Sequence, residues 1–241
     1  MSGAKVTKAV ILAAGKGTRM KELTNDLPKP MLEVRGKPIL RHIVEGLRAA
    51  GVTDFCIVVG YRADVVREFF GDGSKFGVRV TYETQVVQDG TGRVVELAKT
   101  FAGSDAFVLS YGDILIAPEN YARLADIGEA EGIVTVKHNE GEIAKGGCVV
   151  VNDRFELTDL VEKPAGPAPS PWYNAGVYTF RPSIFDFTAK LKLSPRGEYE
   201  LTDAIRDLAQ SGRTVRVVEL TGDWADVRDP DVLAELNRSD A

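Results

Sequence analysis

The groups that could do chemistry in this chain stand beside glycines and prolines. The segment Ala13-Ala14-Gly15-Lys16-Gly17-Thr18-Arg19 follows an apolar run. Its glycines let backbone N–H groups approach an anion with no Cβ in the way, and Arg19 adds a two-pronged phosphate donor. Lys29 stands between Pro28 and Pro30, which stiffen the backbone and favour a held cation over a solvated one. Asp113 follows an apolar run through Gly112, and Asp226 follows Trp224 and Ala225. Chemistry between two phosphates needs their repulsion neutralised, and Mg2+ held by one or two carboxylates and by phosphate oxygens is the usual agent. Each aspartate also has a plainer reading as a turn former or helix cap.

A second set lies further along. Gln88 precedes Gly90 and Thr91, and a glutamine amide can satisfy both a donor and an acceptor on a base edge. Glu162-Lys163-Pro164 sets an acid and a cation before a stiffening proline. Gly146-Gly147 would let the backbone approach a ligand, and Asn174 could read a hydroxyl. Two familiar phosphate motifs are excluded. Met20 stands where a dinucleotide fingerprint needs its third glycine, and no Gly-Lys-Ser/Thr triplet closes a P-loop. His42 and His138 are not spaced as ligands, and no Cys-x-x-Cys pair suggests zinc.

The elements that must carry these groups alternate. Residues 8–14 and 54–61 are apolar runs typical of strands buried on both faces. Residues 38–50 show a helical apolar face with proline at the first position and glycine as the stop. The pattern continues with a helix at 63–70, a strand at 78–83, a helix at 92–101, a strand at 106–111, a helix at 118–132 and a strand at 133–136. Such a repeat predicts an α/β fold: a doubly wound, mostly parallel, Rossmann-like sheet with helices on both faces. Ligands gather at the carboxyl ends of strands in such sheets, where Gly15 and Asp113 would meet. The second half is less regular. Residues 147–151 and 155–160 read as a hairpin, 172–180 and 215–220 as strands, and 182–191, 201–211 and 229–237 as helices. The proline-rich stretch 165–171 reads as an exposed loop.

Composition bounds the rest. The chain has 241 residues, 44% hydrophobic and 27% charged, which suits a globular fold rather than a disordered one. One domain over residues 1–241 is expected, in two halves at 1–135 and 136–241. The net charge of −5 argues against a nucleic-acid partner. No apolar run is long enough to span a membrane, and the N-terminus lacks the pattern of a signal peptide. Cys56 and Cys148 lie far apart in apolar surroundings, so a reducing, cytoplasmic setting is expected.

Gly15-Lys16-Gly17-Thr18-Arg19, followed by Pro28-Lys29-Pro30-Met31-Leu32, resembles the signature of the sugar-phosphate nucleotidylyltransferases. These enzymes join a sugar 1-phosphate to a nucleoside triphosphate and release pyrophosphate. The resemblance runs on through Asp113, Glu162-Lys163-Pro164, Asn174-Ala175-Gly176 and Trp224-Ala225-Asp226, so it covers nearly the whole chain in order. It implies a fold of the nucleotide-diphospho-sugar transferase type, with a nucleotide-binding half at 1–135 and a sugar-binding half at 136–241. Arg19, Lys29 and Lys163 would then be the catalytic cations. Leu12, Ala13, Ala14, Gly15, Gly17, Thr18, Gln88, Gly90 and Thr91 would bind the nucleotide. Gly147, Glu162, Lys163 and Asn174 would bind the sugar phosphate, with Asp113 and Asp226 as the Mg2+ pair. UTP or dTTP is the expected donor, with GTP next, and the assembly a monomer or homodimer. This chain departs from the family at Gly92, where an alanine is usual, and at Val227-Arg228-Asp229-Pro230, where a small pair usually precedes the proline. Two other readings stay open: a cytidylyltransferase for a phospho-alcohol such as choline phosphate or an inositol phosphate, and a non-catalytic regulatory protein that binds nucleotide sugars.

Overall fold

In the computed structural model, which describes residues 5–139 and 146–238, the first apolar run becomes the central strand, β1 (Lys8–Ala13). A small hairpin of β2 (Glu33–Val34) and β3 (Lys37–Pro38) leads into α1 (Ile39–Ala49). This helix buries Ile39, Leu40, Ile43, Val44 and Leu47, the apolar stripe legible in the sequence. β4 (Asp54–Val59), α2 (Ala63–Phe70) and β5 (Arg79–Thr84) follow, then α3 (Thr91–Glu96), α4 (Lys99–Ala102) and β6 (Phe107–Tyr111). β4 and β6 flank β1, and β5 lies beyond β4, all in parallel register. Layers of apolar side chains cover both faces of this unit, which is why its strands are apolar throughout.

The second half changes direction. After the short β7 (Ile114–Ile116) and α5 (Glu119–Leu124), β8 (Gly132–His138), β9 (Gly147–Val151), β10 (Leu157–Glu162) and β11 (Trp172–Phe180) add to the same nine-stranded sheet. β11 runs antiparallel to β6, β8 and β9 and so joins the parallel half to the rest. α6 (Phe185–Thr188), α7 (Leu201–Gln210), β12 (Val215–Glu219), β13 (Trp224–Asp226) and α8 (Pro230–Arg238) complete the chain. The sheet is thus mixed and mostly parallel in its first half, with helices packed on it.

Several elements differ from the sequence expectation. The helix expected at 118–132 stops after Leu124. Gly128 takes φ 57, a left-handed turn, and the Glu131 N–H pairs with the Thr214 carbonyl instead of continuing a helix. The helix expected at 92–101 divides into α3 and α4, with Ala98 at ψ 0 between them. The one at 182–191 is a 3-10 turn followed by four residues of α6. The two-stranded sheet of β7 and β13 was not visible in the sequence, because three residues carry too little periodicity. Residues 165–169 are exposed, as expected of the proline-rich loop.

Candidate active site

A cavity of about 550 Å3 opens over the carboxyl ends of β1 and β6 and reaches across to β10 and β11. The glycine-rich turn after β1 forms one wall. Gly17 has φ 68, and a Cβ there would stand 2.7 Å from the Cβ of Lys29. Glycine is therefore required both for the turn and for the close approach of Lys29. A 3-10 turn, Thr18–Thr24, follows, anchored by the fully buried Met20. Arg19 lines the cleft; Thr18 is exposed at the start of the turn and does not line it.

Lys29 sits on a second 3-10 turn, Lys29–Met31, whose Pro30 and Met31 are buried. Its Nζ donates to Asp113 Oδ2 at 2.6 Å, with only 12% of the lysine side chain exposed. Asp113 lies in the turn from β6 to β7. β13 pairs antiparallel with β7 so that Asp226 faces Ile114, and the Val227 N–H donates to the Asp113 carbonyl at 3.0 Å. This small sheet brings together two aspartates that are distant in sequence. Burial pushes Asp226 above the usual carboxylate range, and the negative charge of Asp113 pushes it further; Lys29, Arg228 and Arg19 pull it back. The indole Nε1 of Trp224 donates to the Ala175 carbonyl at 2.9 Å, fixing β13 to β11.

The two aspartates fit a hard divalent cation. They supply oxygen donors only, and the like charge of Asp113 already disfavours the ionised form of Asp226. Among the described residues no group of three or more His, Cys, Asp or Glu gathers for a metal. Further ligands would have to come from water and phosphate oxygens, as is usual for Mg2+. Arg228, the bulky departure from the family pattern, does not line this cleft. Its side chain pairs with Asp229 at 3.6 Å and lines a separate cavity beyond β13. Asp229 caps the final helix as expected, accepting the Val232 N–H at 3.0 Å.

At one end of the cleft Gln88 donates to the Ala14 carbonyl at 3.3 Å, tying the loop of residues 85–90 to the phosphate turn. Gln85 lines the same end and was missed in the sequence, where nothing marks it but its amide. The Gly90–Gly92 turn is laced to residues 199–201: Gly92 N–H donates to Tyr199 O at 2.8 Å, Tyr199 N–H to Asp89 O at 2.8 Å, and Leu201 N–H to Thr91 Oγ1 at 3.3 Å.

At the other end stand Gly147, Glu162, Lys163 and Asn174. Lys163 has φ 47, a left-handed conformation unusual for a side-chain-bearing residue, and its N–H donates to Gly146 O at 2.9 Å. Burial raises the Glu162 carboxyl above its ordinary value; Arg196 opposes this, while the charge of Glu200 adds to it. Arg196 is the residue here that the sequence reading missed. Its guanidinium reaches Glu162 at 3.5 Å and the buried Glu200 at 2.5 Å. Apart from Thr18, every residue assigned to a site from the sequence lines this one cleft. His42 Nε2 donates to the Val34 carbonyl at 2.7 Å, and the His138 ring packs edge-on against Trp172, so both have local structural partners.

Residues 8–241 match the family model described as nucleotidyl transferase. The chain is 36% identical over 231 residues to a UTP–glucose-1-phosphate uridylyltransferase, AglF, of Haloferax volcanii, covering 93% of this chain and 92% of that protein. It is 35% identical to a glucose-1-phosphate thymidylyltransferase of Streptomyces griseus, covering 96% of this chain but 65% of the relative. Against the bifunctional protein GlmU of Methanocaldococcus jannaschii the identity is 36%, and the chain spans 53% of that protein's length. Several relatives are thus longer than the region matched. A Bacillus anthracis chain solved as a candidate glucose-1-phosphate thymidylyltransferase with sucrose superposes with a TM-score of 0.83 at 27% identity, covering 95% of this chain and 93% of that one. A UDP-glucose pyrophosphorylase complexed with UDP-glucose shares the fold with a TM-score of 0.87 at 23% identity, covering 97% and 98%.

Proposed function

Since the chain belongs to the nucleotidyl transferase family, among relatives that act on sugar phosphates, we propose that it transfers a nucleoside monophosphate from a nucleoside triphosphate to a sugar 1-phosphate, with UTP or dTTP as the favoured donor, GTP next, and glucose 1-phosphate the first acceptor to try. The observation that carries this reading is the convergence of Arg19, Lys29 and Lys163 with Asp113 and Asp226, from both halves of the sheet, on one cleft. Two phosphates brought together need cations from two directions, and the cleft supplies them.

In this reading Arg19 and the amides of the glycine turn hold the triphosphate and the departing pyrophosphate. Lys163 holds the sugar phosphate, and Lys29 screens the charge where the two meet. A phosphate oxygen of the sugar 1-phosphate attacks the α-phosphorus in line. The bond between the α-phosphorus and its bridging oxygen breaks, and pyrophosphate leaves with the electron pair. No covalent intermediate on the protein is required, so positioning and charge stabilisation are the protein's contribution. Asp113 and Asp226 would hold Mg2+, which when bound would neutralise phosphate charge. Gln85 and Gln88 face the nucleobase, and Glu162 and Asn174 the sugar hydroxyls. Among the described residues no helix is long and apolar enough to cross a membrane, and the two buried free thiols, Cys56 and Cys148, suit a reducing cytoplasm.

Pyrophosphate release across UTP, dTTP, GTP, CTP and ATP, each with a panel of sugar 1-phosphates and Mg2+, tests the reading. One productive pair is expected, with activity lost on chelation. Silence across the grid, with nucleotide binding intact by calorimetry, overturns it and turns attention to a phospho-alcohol acceptor or a non-catalytic binding role.

A further inference from the structure

α7 meets the cleft at its first turn. Leu201, Ala204, Ile205 and Leu208 bury one face of this helix in the core. Thr202, beside that face, lines the cleft. It is only 4% exposed, and its buried Oγ1 has no hydrogen-bond partner among the described residues. It does not cap the helix either: Glu200 holds the cap position, and no side-chain hydrogen bond closes this end.

A buried hydroxyl costs free energy unless it is bonded, and nearly all such groups in native proteins find a partner. Valine has the same outline and would avoid the cost, so packing alone does not ask for threonine here. The partner is therefore to be sought in what the cleft binds. The surroundings limit its charge. A helix N-terminus ordinarily favours an anion. Here Glu200 is already at that end, buried, with its carboxylate paired to Arg196 at 2.5 Å and accepting from Ser194 Oγ at 3.0 Å, and Asp203 follows in the first turn. A further anion would be repelled. A neutral hydroxyl, which can accept from Thr202 or donate to it, suits the site. The same Arg196 reaches Glu162 at 3.5 Å, so Thr202 belongs with the end of the cleft proposed for the sugar.

We propose that Thr202, at the opening of α7, forms a subsite for one hydroxyl of the sugar 1-phosphate, and that the protein uses it to select acceptors carrying that hydroxyl over those lacking it. This rests on the reading that the cleft takes a sugar 1-phosphate. The substrate completes a group that the free protein leaves unpaired. Discrimination follows, because an acceptor without the hydroxyl leaves Thr202 unpaired in the complex as well.

The test is Thr202→Val, which keeps the outline and removes the oxygen. In the pyrophosphate-release assay, kcat/KM for the productive sugar 1-phosphate is expected to fall about 3- to 10-fold, the scale of one lost hydrogen bond, while the KM for the nucleoside triphosphate moves less than about twofold. Tm should stay level or rise, because an unpaired buried hydroxyl is gone. Mono-deoxy analogues of the same sugar 1-phosphate locate the contact: one of them should lose about as much with the wild type as Thr202→Val loses with the parent sugar, and lose nothing further with the variant. Thr202→Ser, which restores the hydroxyl, should recover the wild-type constants. Unchanged sugar constants in Thr202→Val, a triphosphate KM that rises instead, or a variant that penalises every analogue further by the same factor would overturn the proposal; a lowered Tm with the sugar constants intact would mark a structural role only. Should Thr202→Val fail to fold, Thr202→Ala and Thr202→Ser are read against each other, and only the serine is expected to keep the wild-type sugar constants. A wild type that turns over no sugar 1-phosphate would sink the reading of the reaction and the subsite with it, whereas a wild type that is active and matched by Thr202→Val sinks the subsite alone.

Discussion

The two ends of the cleft are built on different plans. The end proposed for the triphosphate is made of turns at the carboxyl ends of parallel strands, which offer backbone amides and short rigid segments. Its cation, Lys29, is fixed by its prolines and by Asp113 at 2.6 Å. The end proposed for the sugar phosphate lies on antiparallel strands and is made of side chains from separate segments, gathered by one arginine. Arg196 spans Glu162 and Glu200, whereas Lys163 has no ion pair among the described residues and takes its direction from a left-handed backbone. Anion recognition asks for charge and amides, which a contiguous turn can offer. Hydroxyl recognition asks for acceptors from several directions, which only tertiary structure can bring together.

Three measurements would break or sharpen this contrast. The largest effect is expected from Asp113→Ala, which frees Lys29 and leaves Asp226 alone. Turnover measured by pyrophosphate release should fall by at least about 100-fold. Near-normal activity would remove the phosphate end from the mechanism. Next, Lys163→Ala should raise the KM for the sugar 1-phosphate by about 10-fold or more, the scale of a lost charge-assisted hydrogen bond, while the KM for the triphosphate moves little. Equal shifts in both constants would show that the two ends do not divide the work.

The smallest effect concerns Glu162. Burial, and to a lesser degree the charge of Glu200, hold its carboxyl above the ordinary glutamate value. The native state therefore holds the proton more tightly than the unfolded chain does. The stability this group contributes is full below about its unfolded pKa and is lost as pH rises through the raised folded value. Glu162→Gln should accordingly raise Tm relative to wild type at pH 7, and the gap should close as the pH is lowered toward the ordinary glutamate range. Thermal melts across that pH series check it. A gap that widened on acidification would place the destabilising charge elsewhere.

The same contrast governs how much the sequence disclosed. β1, α1, α2 and β11 are legible because each buries a periodic apolar set over many residues. The glycine turn and Pro28-Lys29-Pro30 are legible because their chemistry is local. Arg196 and Gln85 are not, since an arginine or glutamine in a loop looks the same whether it reaches solvent or a cleft. The pairing of Asp113 with Asp226 could be named only through the family resemblance; what brings them together is a two-stranded sheet too short to leave a pattern. The early end of the helix expected at 118–132, capped already at Ala125, left no mark in the sequence, and the left-handed Gly128 lies beyond it.

The backbone of Lys163 sets function against durability. A lysine held at φ 47 costs roughly 1–2 kcal/mol that glycine would not incur. A programme that optimised this protein for heat resistance alone would therefore be drawn to this position and would discard the cation proposed for the sugar phosphate. Thermal selection here must be paired with a turnover screen, because the most durable form of the chain and its most active form part company at this residue.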